Sequence, residues 1–167
     1  ISNYLFGITY GNNTFVAVGD AGTILTSTDG ITWIERSSGT SNYLFGITYG
    51  NNAFVAVGSS GTILTSADGM TWTPRTSGTS IWLNGITYGN NTFVAVGGAL
   101  SGGTILTSGD GVTWTTRTSG TSLRLNGITY GNNTFVAVGG FVSGGTILTS
   151  GDVMTWTPRT SGTSNGL

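Results

Sequence analysis

The stretch GITYGNNTFVAVG, residues 7–19, sets two runs of β-branched and aromatic residues on either side of Gly-Asn-Asn. Such runs favour extended strands, and Asn accepts a positive φ more readily than most residues, so the segment reads as a β-hairpin with Asn-Asn at its tip. The same words return. GITYGNN begins at Gly7, Gly46, Gly85 and Gly127, a spacing of 39, 39 and 42 residues. Downstream, TSTDGITW (26–33) recurs as TSADGMTW (65–72), TSGDGVTW (107–114) and TSGDVMTW (149–156). Four units, approximately 3–41, 42–80, 81–122 and 123–164, thus fill a single repeat domain spanning 1–167.

Within a unit the pattern predicts four short strands: YLFGITY (4–10), TFVAVG (14–19), GTILTS (22–27) and TWIERS (32–37). No segment has helical period. Four antiparallel strands in roughly 40 residues make the blade of a β-propeller, so the expected fold class is all-β. In such a blade the first strand lines the axis, where Gly7, Gly46, Gly85 and Gly127 fit close backbone approach. The fourth is the outer edge, where Pro74 and Pro158 are tolerated, and Arg36, Arg75, Arg117 and Arg159 read as solvated edge charges.

Composition excludes several function classes. Five Arg, no Lys and six acids give a net charge of −1, with 7% of residues charged, so a nucleic-acid backbone finds no basic surface. No apolar run approaches the ~20 residues of a membrane helix. With neither Cys nor His, no metal site or cofactor is expected. The abundant Thr, Ser and Gly fit an extracellular or cell-surface setting, with a cytoplasmic one left open.

The STDGITW words resemble the Asp-box repeat, S-x-D-x-G-x-T-W, of BNR-like β-propellers, a family that includes sialidases, sortilin-like receptors and many bacterial propellers. The resemblance covers all four units and implies that the box is the turn between the third and fourth strands. Here Asp and Gly are adjacent, one residue shorter than the family pattern, and Val153 replaces glycine in the last copy. An Asp side chain can accept hydrogen bonds from backbone N–H groups and close a tight turn, so Asp29, Asp68, Asp110 and Asp152 are assigned a structural role. That leaves Asp20 and Glu35, one of each and unpaired in pattern, and no catalytic set is expected. The sialidase arginine cluster is not carried over, because four of the five arginines fall on outer strands.

The copies differ from one another in two places. One is the start of the first strand: NYLF, NYLF, IWLN and LRLN at 3–6, 42–45, 81–84 and 123–126. The other is the loop between the second and third strands, at 20–21, 59–60, 98–102 and 140–144. In a four-stranded meander both lie at the same end of the blade, while the Asn-Asn tips and Asp boxes lie at the other. Tyr4, Tyr43, Trp82 and Arg124 occupy equivalent positions, as do Phe6, Phe45, Asn84 and Asn126. Tyr4, Tyr43, Trp82, Asn84, Arg124, Asn126 and Phe141 are therefore the candidate ligand residues, since an aromatic beside Asn or Arg offers a stacking face and hydrogen bonds.

The expected function is a non-catalytic binding module, lectin-like or adhesive, with shallow repeated sites whose avidity compensates for weak contacts. The alternatives are a protein-binding scaffold and a repeat array without a ligand. Two closures are left open: a complete four-bladed ring, or a homo-oligomer completing a larger propeller.

Overall fold

The computed structural model describes residues 3–141 and 144–162 of the 167, the side chain of Phe141 excepted. Among the described residues, sixteen strands form four separate antiparallel sheets, each ordered as a simple meander. The first blade contains β1 (Leu5–Gly11), β2 (Thr14–Gly19), β3 (Ile24–Ser27) and β4 (Ile34–Arg36). The second contains β5 (Leu44–Gly50), β6 (Ala53–Gly58), β7 (Ile63–Ser66) and β8 (Thr73–Arg75). The third contains β9 (Leu83–Gly89), β10 (Thr92–Ala99), β11 (Gly102–Ser108) and β12 (Thr115–Arg117). The fourth contains β13 (Leu125–Gly131), β14 (Thr134–Phe141), β15 (Gly144–Ser150) and β16 (Thr157–Arg159).

The Asn-Asn tips are two-residue hairpin loops. Gly11 pairs with Thr14, and Asn12 and Asn13 between them hold φ of 46° and 55°. Positive φ at both central residues is what the primed turns need to match strand twist. The 42-residue spacing also has a local cause. In the first two blades the chain turns tightly after β2 and β6, with Ala21 and Ser60 at positive φ. In the third and fourth, the longer loop continues the ladder instead, pairing Ala99 with Gly102 and Phe141 with Gly144.

The innermost strands β1, β5, β9 and β13 neighbour one another in chain order. Gly7, Gly46 and Gly85 allow this, because a Cβ on each would lie only 3.3 Å from the Cα of the next glycine in the series. Between successive blades lie three equivalent apolar clusters. Val16, Val18 and Ile24 of the first blade pack on Leu44, Ile47, Phe54, Ala56 and Leu64 of the second. Val55, Val57 and Ile63 repeat this against Leu83, Ile86 and Phe93, and Val94, Val96 and Ile105 against Leu125, Phe135 and Leu148. Each fully buried Leu or Phe contributes about 1.5–3 kcal/mol, so stability resides mainly between blades.

The two end blades differ from this pattern. Leu5 is 50% exposed where Leu44, Leu83 and Leu125 are fully buried, and Ile8 is 62% exposed where Ile47 and Ile86 are 8%. On the fourth blade Val136, Val138 and Ile147 are only half-buried, unlike their counterparts in the other blades. Of the two closures, the complete four-bladed ring would bury both of these faces. Among the described residues they stay open, so the chain forms an arc.

Candidate functional site

Each blade ties the start of its innermost strand to the corner after its second strand. The amides of Asp20, Ser59, Gly98 and Gly140 donate to the carbonyls of Tyr4, Tyr43, Trp82 and Arg124 at 2.9–3.1 Å. The preceding glycines, Gly19, Gly58, Gly97 and Gly139, make room, since a Cβ on any of them would overlap the same carbonyl. The backbone alone therefore fixes this position, and its side chain is free to vary: Tyr, Tyr, Trp, Arg. This end of the blades, face X, is opposite the Asn-Asn tips and Asp boxes. Those share the other end, face Y, where the Asn12 and Asn51 amides reach the carbonyls of Ala67 and Gly109 in the following blade.

Two residues further on, each inner strand carries a register shift, so that Phe6, Phe45, Asn84 and Asn126 are extra residues opposite a continuous partner strand. A bulge re-aims its side chain. The result is a run of tilted rings across three blades: Phe6 to Phe45 at 5.7 Å, Tyr43 to Phe45 at 6.1 Å, and Phe45 to Trp82 at 5.5 Å. Tyr4 is 75% and Trp82 51% exposed. Tyr43 and Trp82 are thus brought together through Phe45, and Arg124 stands exposed at the same position in the fourth blade. Asn84 has a structural bond, its amide donating to the Leu125 carbonyl at 2.8 Å across the blade boundary. Asn126 is half-buried at the equivalent bulge. Phe141 ends β14, and its side chain lies outside the described residues. The bulges are the feature that pattern reading missed; their trace in the sequence is the glycine immediately after each variable residue.

At face Y the four boxes repeat one geometry. In the first, Asp29 Oδ1 accepts from the amides of Thr32 at 2.8 Å and Ile31 at 2.9 Å and from the Ser27 hydroxyl at 2.9 Å. Gly30 holds φ of 73° and donates to Ser27 Oγ, while Trp33 Nε1 donates back to the Gly30 carbonyl. These donors, the Thr32 amide foremost, lower the Asp29 pKa from 3.8 to about 2. Asp110 is lowered to about 2 by its equivalents Thr113, Val112 and Ser108, and Asp68 and Asp152 are shifted in the same direction. In all four boxes Oδ1 of the carboxylate is engaged by its own turn. Val153 adopts the glycine's conformation, with φ of 60°, and the Asp152 bonds to Met154 and Thr155 survive.

The edge arginines are more organised than solvated charges. Arg36, Arg75, Arg117 and Arg159 each donate Nε to a threonine hydroxyl on the adjoining strand at 2.8–2.9 Å, and each lines a shallow groove beside an Asp box. Asp20 sits at the face X corner of the first blade and Glu35 on its outer strand, so the two remaining acids stand on different elements. Among the described residues no three His, Cys, Asp or Glu cluster as metal ligands would, and no helix is long and apolar enough to cross a membrane.

No protein-family model matches the chain, and no curated protein sequence matches it. Solved structures do. YCF48 from Cyanidioschyzon merolae superposes with a TM-score of 0.70 at 20% identity, over 97% of this chain and 57% of that one. A structure of YCF48 bound to D1 peptide gives 0.74 at 18%, over 98% and 56%. A GH74 enzyme from Niastella koreensis gives 0.63 at 21%, over 96% and 25%. The fold is a β-propeller. Its neighbours include glycoside hydrolases as well as YCF48, and at these identities the likeness carries the fold alone. The chain spans little more than half the length of the two YCF48 chains.

Proposed function

We propose that the chain is a non-catalytic binding propeller whose face X takes a protein segment, with Trp82, Tyr43, Tyr4 and Arg124 as contact residues. The observation that carries this reading is the ring series in which exposed Phe6, Tyr43 and Trp82 gather on half-buried Phe45, with Phe6 and Phe45 at bulges and Tyr43 and Trp82 held through their backbone carbonyls. Large rigid rings offer contact area at small entropic cost, which suits an apolar peptide lying across several blades. A propeller with a bound peptide is among the structures it superposes on, as are glycoside hydrolases, so the choice of a peptide rests on the rings. One N–H of the Asn84 amide is already used within the fold, donating to the Leu125 carbonyl, which leaves less polar capacity for a sugar's hydroxyls. The Asp boxes, which resemble those of BNR-like propellers, then serve as turns at the far end.

The test is selection of peptides from a displayed random library on the immobilised protein, followed by fluorescence titration. Trp82 is the one tryptophan outside the box words, and the titration follows the anisotropy of fluorescently labelled peptide, so that the Trp82→Ala variant is read in the same way. We expect Trp82→Ala to weaken the selected peptides at least about tenfold, the loss of one central aromatic anchor. Ile31→Ala, on face Y, should leave them unchanged. Peptides that bind Trp82→Ala equally well would remove face X as the site. A glycan-array signal that depends on Trp82 would replace the peptide with a sugar.

A further inference from the structure

The two open faces of the arc are opposite halves of one interface, and the molecule already makes that interface three times. In each internal boundary a tyrosine of the later blade lies over a glycine of the earlier one. A Cβ on Gly11 would overlap the ring of Tyr49, one on Gly50 that of Tyr88, and one on Gly89 that of Tyr130. Gly11, Gly50 and Gly89 are accordingly buried. The fourth glycine of the series, Gly131, is exposed, and a Cβ there would meet no described atom within 4 Å. The fourth tyrosine, Tyr10, is 54% exposed at the other end of the chain. One end thus carries a knob without a hole, and the other a hole without a knob.

The rest of the interface follows the same accounting. Val136, Val138 and Ile147 are the counterparts of Val16, Val18 and Ile24, which pack on the following blade. Leu5 and Ile8 are the counterparts of Leu44 and Ile47, which receive such a blade. Gly127 completes the inner glycine series, and a Cβ there would meet only Val138 of its own blade, whereas one on Gly7, Gly46 or Gly85 would meet the next inner strand. Asn132 is the counterpart of Asn12 and Asn51, whose amides bond to the following blade's box, and Thr28 occupies the matching position in the first blade.

We propose that two copies of this chain close head to tail into one ring, the fourth blade of each packing on the first blade of the other. A head-to-tail contact either closes or grows without limit. Closure at two fits the blade count: each copy brings four sheets, so two copies make eight blades, within the number that closed propellers carry. Each copy's Phe6 then faces the Asn126 end of its partner, so that the two aromatic series of face X alternate around the axis with Arg124 and Asn126. The proposal stands independently of what face X binds.

Native mass spectrometry and light scattering of the 167-residue chain test it, with the mass of two chains expected at micromolar concentration. Gly131→Ala should leave the circular dichroism of the folded chain intact and give a single-chain mass, because the methyl group occupies the hole for Tyr10. Ile8→Glu should do the same from the other side. Mixing the two variants rebuilds one intact interface, from the Ile8→Glu tail and the Gly131→Ala head, and should restore a two-chain species. A single-chain mass for the unmodified protein, an open series of masses, or a two-chain mass unaffected by Gly131→Ala would overturn the proposal.

Discussion

Asp29 and Asp110 show how a residue can look catalytic and be spent on structure. Each carboxylate is held by two backbone amides and a serine hydroxyl, which lowers its pKa from 3.8 to about 2. In the unfolded chain these groups return to the ordinary value, so between roughly pH 4 and 2 the unfolded state binds more protons than the folded one. The stabilisation from the boxes is therefore complete above the unfolded pKa and is lost as pH falls through the folded one. We expect a melting temperature that is flat above pH 5 and drops steeply below pH 4. Asp110→Asn should melt lower at neutral pH and show a shallower acid slope, as followed by circular dichroism. An unchanged slope would mean that the turn does not depend on the charge.

The repeated hairpins show how identical elements acquire different tolerances. Gly50 and Gly131 end equivalent inner strands and precede the same Asn-Asn tip. Gly50 lies under the Tyr88 ring, while Gly131 has no described neighbour above it. A methyl group at Gly50 displaces a packed aromatic, and overpacking of this kind costs typically 1–3 kcal/mol. Gly50→Ala should therefore lower stability by about that amount in urea unfolding. Gly131→Ala should change the stability of the dissociated chain by no more than about 0.5 kcal/mol, the usual range for a surface substitution. Equal effects from both would show that the tyrosine contact does not set the inter-blade distance.

For the whole molecule, the location of the core between blades rather than within them has a measurable consequence. Leu5 and Leu83 begin the innermost strand of their blades and share a sequence position. Only Leu83 has a preceding blade against which to bury. In a Gly131→Ala background, which keeps the chain single, Leu83→Ala should cost about 2–5 kcal/mol, as large-to-small core changes do. Leu5→Ala in that background should cost under about 1 kcal/mol, because the side chain is already half exposed. Chemical denaturation of the two double variants distinguishes them, and similar losses would place Leu5 in a core that the arc does not contain.

The sequence by itself determined the blade: four strands, their meander order, the Asn-Asn tips, the Asp turns, and which end of the blade varies. These features depend on dihedral preferences and hydrogen bonds among residues within one repeat of about 40, so each copy carries them intact. The face X bulges and the Arg–Thr pairs were not legible, because a register shift and a cross-strand bond depend on how one strand lies against the next. Least legible were the fates of Leu5, Ile8, Tyr10 and Gly131. They share sequence positions with Leu83, Ile86, Tyr88 and Gly89, and no local pattern separates the two sets. Only the tertiary structure decided which were covered, because burial in a propeller is supplied by the neighbouring blade. The first and fourth blades each lack one neighbour.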